Sequence, residues 1–285
     1  MNYERFFTET RFSQEGQAAF LGLHSRMSDD SFAESCSEAF SAYNESDEAF
    51  GAYITDFAKR ENVSAEALTL YLYIRFSEHT YDEYKKRGIS DEVFYETMSD
   101  FDIKSRQNFD ASGIYGITQE AVRPWLRLHL GCKLYKLGRL QFEIINSKHD
   151  FELDGKSIQK GDLCLNVHIT RYAPLTEAEC EESYALARNF FKKYYNIGTC
   201  FFFCESWLLH PWLSDALPEE SKILKFQKKF TILETIENKI DPLYCVFFRL
   251  YDNIDDYPED TTLRRHLKRL LKEDLPFGNA LGIRL

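Results

Sequence analysis

The sequence predicts an α+β protein in which a helical N-terminal region precedes a mixed β-sheet with flanking helices. Three observations predict it. Apolar residues recur at helical spacing through residues 1–118, and after Gly131 they alternate with the period of strands. The later elements do not repeat as strand–helix units. Three strands come before one long helix and a single strand after it, which is an antiparallel start with one βαβ crossover. The charge also changes along the chain. Residues 1–118 carry 11 Lys+Arg against 22 Asp+Glu, a net of −11, whereas residues 119–285 carry 24 of each. We therefore expect two domains, 1–118 and 119–285. A chain of 285 residues, 44% of them hydrophobic, has the material for a sizeable core.

In the first region, Phe32, Cys36, Phe40 and Tyr43 form one stripe behind a start signal at 29–31. Ala49, Phe50, Tyr53, Ile54 and Phe57 form a second after Ser46, and Leu68, Tyr71, Leu72 and Phe76 a third after Ser64. Serine suits an N-cap, and Gly88 suits a C-cap before Ser90 restarts a helix with Asp91 and Glu92 in its first turn. These aromatic stripes read as core and the acids as solvated faces. Residues 110–117 (DASGIYGI) form a turn-rich break, after which Thr118 is placed to cap a helix over 119–130 whose regular part begins near Arg123 because of Pro124.

Strands follow. Residues 137–145 (LGRLQFEII) alternate, with Leu140, Phe142 and Ile144 on one face and Arg139, Gln141 and Glu143 on the other. The turns at Asp154-Gly155 and Lys160-Gly161 flank a short strand pair. Residues 163–169 (LCLNVHI) alternate again, setting Cys164, Asn166 and His168 opposite four apolar residues. In a shared sheet, Gln141, Glu143, Asn166 and His168 form one polar stripe, which we expect to line a concavity. Thr176 and Glu179 have capping-box spacing at the head of a helix reaching about Tyr195. Residues 199–207 (TCFFFCESW) read as a buried strand, 213–229 as helical, 230–236 and 243–251 as two further strands, and Leu263, Leu267, Leu270 and Leu271 as the apolar face of a last helix.

Several function classes are disfavoured. The acidic first half does not suit a nucleic-acid partner. No apolar run reaches the roughly 18 residues of a membrane span, and the start of the chain lacks a signal-peptide pattern. Seven cysteines, an odd number scattered through apolar stretches, suit reduced thiols in a cytoplasm. Cys200-x-x-x-Cys204 lacks a partner pair for zinc, and no HExxH, Walker, GxSxG or dinucleotide motif occurs, so no metal is expected. His129 reads as a helix-end histidine. The basic face of the last helix (Arg264, Arg265, Lys268, Arg269 and Lys272) reads as solvated, with a membrane-surface or RNA contact as the alternative.

Residues 125–143 (WLRLHLGCKLYKLGRLQFE), 165–170 (LNVHIT), the helix from Thr176 and 204–213 (CESWLLHPWL) resemble a bacterial group of acyltransferase-like proteins. These join an N-terminal helical domain to a C-terminal domain like the GNAT (acyl-CoA N-acyltransferase) fold. The resemblance covers nearly the whole chain. It implies that the strands at 163–169 and 199–207 are neighbours that splay apart. Acetyl-CoA or another acyl-CoA would then lie in the gap as cosubstrate, its pyrophosphate on the free amides at the next helix N-terminus. Asn166, Arg171, Thr176 and Ser206 are the residues this arrangement sets against the acyl-CoA. The chain departs from the family pattern in the loop. GNAT enzymes carry a glycine-containing Arg/Gln-x-x-Gly-x-Gly/Ala segment, whereas residues 171–179 (RYAPLTEAE) have no glycine, two first-turn glutamates and Arg171 as the only nearby cation.

For amine acylation, His168 with Glu143 is the preferred acid/base pair, because a carboxylate beside an imidazole tunes it toward working pH. The bland alternative makes His168 a structural hydrogen-bonding residue and pairs Glu143 with Arg139 or Lys133. Cys204 is a poor nucleophile, since apolar surroundings raise a thiol pKa. Ser206 is placed to hydrogen-bond a thioester or a pantetheine amide. Two functions stand side by side. One is an acyl-CoA-dependent N-acyltransferase acting on an unidentified amine. The other is a GNAT-derived module that holds a different small molecule or a partner protein.

Overall fold

The computed structural model describes residues 2–27, 30–118 and 122–285, without side-chain detail for residues 30–33. The start signal at 29–31, Phe32 of the first stripe, and residues 119–121 of the expected helix therefore fall wholly or partly outside the described part. The chain divides into two compact units, Met1–Lys136 and Leu137–Leu285.

Up to the start of a strand at Leu134, the regular elements described in the first unit are all helices, as its stripes predict: α1 (Tyr3–Glu9), α2 (Gln14–Arg26), α3 (Asp30–Glu45), α4 (Asp47–Glu61), α5 (Ala65–Arg87), α6 (Asp91–Met98), α7 (Asp100–Ser112) and α8 (Val122–Leu130). Ser46, Ser64 and Ser90 each accept the expected capping bond, from the amides of Ala49, Ala67 and Val93. Gly88 ends α5 with left-handed backbone. Along α5, Leu68 and the run from Leu70 to Ile74 are almost fully buried. α8 belongs to this unit. The Tyr73 hydroxyl donates to the Arg123 carbonyl at 2.9 Å, Arg123 holds Asp47 through two bonds of 3.0 and 2.7 Å, and the Thr80 hydroxyl caps the Leu130 carbonyl at 2.9 Å. The units thus part after Lys136, whereas composition places the change at 118/119. The turn-rich 113–118 segment connects two helices of one unit.

The second unit is built on a mixed sheet. Its strands are β1 (Leu134–Leu137), which spans the division, β2 (Leu140–Asn146), β5 (Leu163–Ile169), β6 (Phe202–Ser206), β7 (Thr231–Glu237) and β8 (Gly278–Arg284), in the order β1-β2-β5-β6-β8-β7. A separate hairpin, β3 (Phe151–Leu153) with β4 (Lys156–Ile158), turns at Asp154-Gly155 as expected. Helix α9 (Glu177–Tyr195) crosses from β5 to β6, the parallel pair. The short α10 (Leu213–Ala216) and α11 (Lys222–Gln227) follow β6, and α12 (Ile240–Phe247) and α13 (Thr262–Lys272) lie between β7 and β8. Residues of α9 pack on one face of the sheet, where Phe142 meets the rings of Tyr184, Phe191 and Phe202. On the other face the β3–β4 hairpin covers Cys164, Phe203 and Ile283 with Ile158, Phe151 and Leu153. Among the described residues, no helix is long and apolar enough to cross a membrane.

Four expectations change. The strand at 137–145 is two strands, because Gly138 takes a φ of +70° and turns the chain between β1 and β2. The stretch 243–251 is not a strand. Its first part is α12, in which Pro242 occupies the tolerant first turn and Leu243, Val246 and Phe247 bury one helical face. Helix α13 is not the last element. β8 follows it and enters the sheet between β6 and β7. Lys268 does not belong to a solvated face. It is 5% exposed and donates to the Asp255 and Tyr257 carbonyls.

Candidate active site

β2 and β5 pair antiparallel with Gln141 opposite His168, Glu143 opposite Asn166 and Ile145 opposite Cys164. Residues directly opposite share a face, so the polar stripe forms. His168 Nε2 lies 2.9 Å from Glu143 Oε2, and Asn166 Nδ2 reaches both, at 3.3 Å to Glu143 Oε2 and 3.1 Å to His168 Nε2. These two contacts at Nε2 correspond to the two tautomers of the ring. With a proton on Nε2 it donates to Glu143; without one it accepts from Asn166. The side chains of His168 and Glu143 are 23% and 20% exposed, so the pair is reachable without being fully hydrated. Gln141 is buried. Arg139 does not pair with Glu143. It stands outside the β2 ladder and serves a different segment.

The same face continues across the sheet. Asn166 is level with Phe203 on β6, Glu205 faces Leu281 on β8, and Leu281 faces Glu234 on β7. Over these strands lies a cleft of about 170 Å³. Its floor is Ile145, Cys164, Asn166, Phe203 and Leu281, its far wall carries Glu205 and Glu234, and its roof is the β2–β3 connection from Asn146 through Phe151. His168 and Glu143 adjoin it through their bonds to Asn166. Cys204 points to the opposite, fully buried face beside Gly282. Burial, with Glu205 nearby, holds its thiol far above the ordinary range. This is the environment of an inert thiol.

β5 and β6 pair at only two positions, Leu165 with Phe202 and Asn166 with Phe203. β5 runs on to Ile169 and β6 to Ser206 without further pairing between them, so the strands open toward the α9 end. Their register places His168 and Glu205 on either side of that opening. Ser206 accepts the Leu208 amide at 3.2 Å and caps the 3₁₀ turn Trp207–Leu209.

The segment joining β5 to α9 is fixed from below by Arg139. This residue is 8% exposed and donates to the Thr170 Oγ1 (3.0 Å) and to the carbonyls of Thr170 (2.9 Å), Ala173 (2.9 Å) and Pro174 (2.7 Å). Its burial lowers the guanidinium pKa, and the fork of donors compensates with carbonyl dipoles instead of a carboxylate. Thr176 caps α9, accepting the Glu179 amide at 3.4 Å, with its hydroxyl also against the Glu179 carboxylate. Arg171 donates to the Cys245 carbonyl at 2.9 Å and stacks on Phe248. It is not the only cation near this helix end. Lys222, Lys225 and Lys229 of the α11 region and Arg284 of β8 line a small pocket there with Thr176 and Glu177. Lys229 pairs with Glu177 at 2.6 Å, and Arg284 holds Glu181 through bonds of 3.1 and 3.0 Å. These contacts offset acids in the first turns of α9.

Comparison with known proteins accords with this geometry. Residues 1–132 match the N-acyltransferase N-terminal domain family, and residues 134–284 match the GNAT-like C-terminal domain family. The chain belongs to the GNAT-like family. No curated protein matches the sequence. Among solved structures, an acyltransferase in complex with decanoyl-CoA and teicoplanin is 25% identical with a TM-score of 0.66, covering 75% of this chain and 64% of that one. An acyltransferase in complex with CoA and 10C-teicoplanin is 24% identical with a TM-score of 0.66, over 75% and 64%. An acyltransferase in complex with decanoyl-CoA is 23% identical with a TM-score of 0.67, over 77% and 66%. The chain thus spans about two thirds of the length of these structures or slightly less, and it shares their fold.

Within the GNAT-like unit, His168, Glu143 and Asn166 come together as one hydrogen-bonded group. Thr176 stands at the head of α9 and Ser206 at the end of β6, whereas Arg171 is engaged with the α12 end. Sequence reading missed Glu234 and the roof segment, the buried role of Arg139, and the α11 lysines. The spacing of Lys222, Lys225 and Lys229 marks one helical face, but nothing local ties that face to a helix about 45 residues earlier.

Proposed function

We infer that the protein transfers an acyl group from an acyl-CoA to the amine of a small acceptor. The observation that carries this reading is the His168–Glu143–Asn166 cluster beside the opening between β5 and β6. Acyl-CoA supplies the thioester. The acceptor nitrogen bonds to its carbonyl carbon as the C–S bond breaks, and sulfur leaves as the thiolate. His168 takes the proton lost by the amine at Nε2, Glu143 stabilises the resulting imidazolium, and Asn166 holds the neutral imidazole in place between cycles. The amides and hydroxyl at Thr176, together with Lys222, Lys225 and Lys229, favour the pyrophosphate at the α9 end. Ser206 is assigned to the pantetheine and Arg171 to keeping the β5–α9 segment closed over it. The reaction suits a cytoplasm, where acyl-CoA is made, and needs no metal.

The glycine-free segment 171–179 supports a second reading, a GNAT-derived module that binds another small molecule or a partner protein. The deciding experiment measures thiol release from acetyl-, octanoyl- and decanoyl-CoA with a panel of primary amines, together with thermal shifts by each acyl-CoA. At a hundredfold excess over Kd, a bound acyl-CoA stabilises by roughly 2.7 kcal/mol, or about 5 °C at roughly 2 °C per kcal/mol. Thiol release that His168→Ala lowers by about 10²-fold or more supports the transferase. Absence of both shift and release at millimolar acyl-CoA leaves the binding module.

A further inference from the structure

We propose that the cleft over β5, β6, β8 and β7 binds the acceptor as a diamine-like cation with an apolar spacer, Glu205 holding one ammonium and Glu234 the other. The role of this ligand as acceptor rests on the acyltransferase reading; the cation site itself rests on the cleft.

Three features of the cleft point to this ligand. Its floor is largely apolar, with Ile145, Cys164, Phe203 and Leu281 beside Asn166 and Phe151 above, and so calls for a hydrocarbon body. Its charge is placed in a pattern. Glu205 and Glu234 are partners of the same residue, Leu281, on neighbouring strands. Their Cα atoms therefore stand about 10 Å apart, two strand spacings, with one leucine side chain between them. Among the described residues neither carboxylate has an ion-pair partner, although both line the cleft. A cationic group with an apolar stretch beyond it and a second cation at the far end fits this row. The third feature is the position of Glu205. The register sets it across the β5–β6 opening from His168, so the ammonium it holds is the one His168 can deprotonate. Lys148 and His149 on the roof are the opposing charge and imidazole. They make a carboxylate-bearing ligand the natural competitor.

The test uses the full chain and calorimetric titration with 1,6-diaminohexane, n-hexylamine, 6-aminohexanoate and 1-hexanol. We expect the diamine to bind about tenfold more tightly than the monoamine, as one partly exposed ion pair permits. Glu234→Gln should abolish that preference, and Glu205→Gln should weaken both amines by about tenfold. Unchanged melting temperatures establish that the variants fold. A 6-aminohexanoate or hexanol affinity equal to that of the diamine overturns the proposal, as does a diamine preference that survives Glu205→Gln with Glu234→Gln. Thiol release from octanoyl-CoA is measured in parallel. Release with no cation preference discards the site and keeps the transferase. Carboxylate-dependent diamine binding with no release from any acyl-CoA keeps the site and discards the transferase.

Discussion

Replacing Arg139 with leucine should destabilise the second unit by an amount that the surroundings of Arg139 allow to be worked out. The guanidinium is almost excluded from water and makes four hydrogen bonds, three of them to backbone carbonyls. Each bond to a charged donor contributes about 1.5–3 kcal/mol, so about 6–12 kcal/mol for the four. Against this stands the recovered desolvation of a buried charge, several kcal/mol. The difference is about 3–5 kcal/mol. At roughly 2 °C per kcal/mol this lowers Tm by about 6–10 °C. Arg139→Lys keeps the charge but has a single nitrogen to reach acceptors spread over residues 170–174, so about half of the loss should remain. Differential scanning fluorimetry and urea titration measure both. If Arg139→Leu melts within about 1 °C of the parent protein, the guanidinium does not organise the β5–α9 segment and the reasoning fails.

Other outcomes follow from single features. Gly282→Ala should cost about 1–3 kcal/mol in a urea titration, because its new methyl would lie 2.9 Å from Leu209 Cδ1 and 3.0 Å from Phe230 Cβ; an unchanged midpoint would refute this. Burial lowers the His210 pKa, and its Nδ1 accepts the Trp212 amide at 3.2 Å, so the folded state favours neutral imidazole. The unfolded chain then binds more protons below about pH 7, and stability should fall on acidification through the ordinary histidine range near 6.5, a slope that His210→Gln should flatten in melts from pH 8 to 5. Cys204→Ala should leave thiol release from acyl-CoA within about twofold, since a thiol with so high a pKa supplies no thiolate; a loss of a hundredfold would reinstate it as nucleophile. Changing Lys222, Lys225 and Lys229 together to glutamine should weaken acyl-CoA binding and reduce its salt dependence, and an unaltered Kd at low salt would remove the α11 face from the site.

The elements most legible in the sequence were those whose instructions are local. Serine caps, the Gly88 stop and the 3.6-residue stripes define α4 to α6, and two alternating segments fix which face of β2 and β5 carries Glu143, Asn166 and His168. The unread parts depend on distant chain. β8 is obscured because Gly278, Ala280 and Gly282 leave one of its faces almost without side chains. Gly282 is small because Leu209 and Phe230 press on it, and that crowding exists only in the folded unit. The α12 stretch reads as a strand because its apolar run is short and contiguous, where periodicity cannot separate the two. By alternation Arg139 reads as a strand residue sharing a face with Glu143, but the left-handed turn at Gly138 removes it from that register. The α11 lysines reach α9 only through tertiary packing.

The place of β8 also governs the order in which the second unit can form. Residues 278–284 lie between β6 and β7, so a nascent chain holding everything through residue 277 still has two strands facing each other across an empty slot. Both would expose unpaired backbone edges during that interval, the condition that invites pairing with another chain. Sheet closure must also wait for contacts between residues about 75 apart, a non-local step that slows folding relative to the helical unit. Pairing of residues 278–284 with both neighbouring strands is then the step that completes the sheet beneath the cleft.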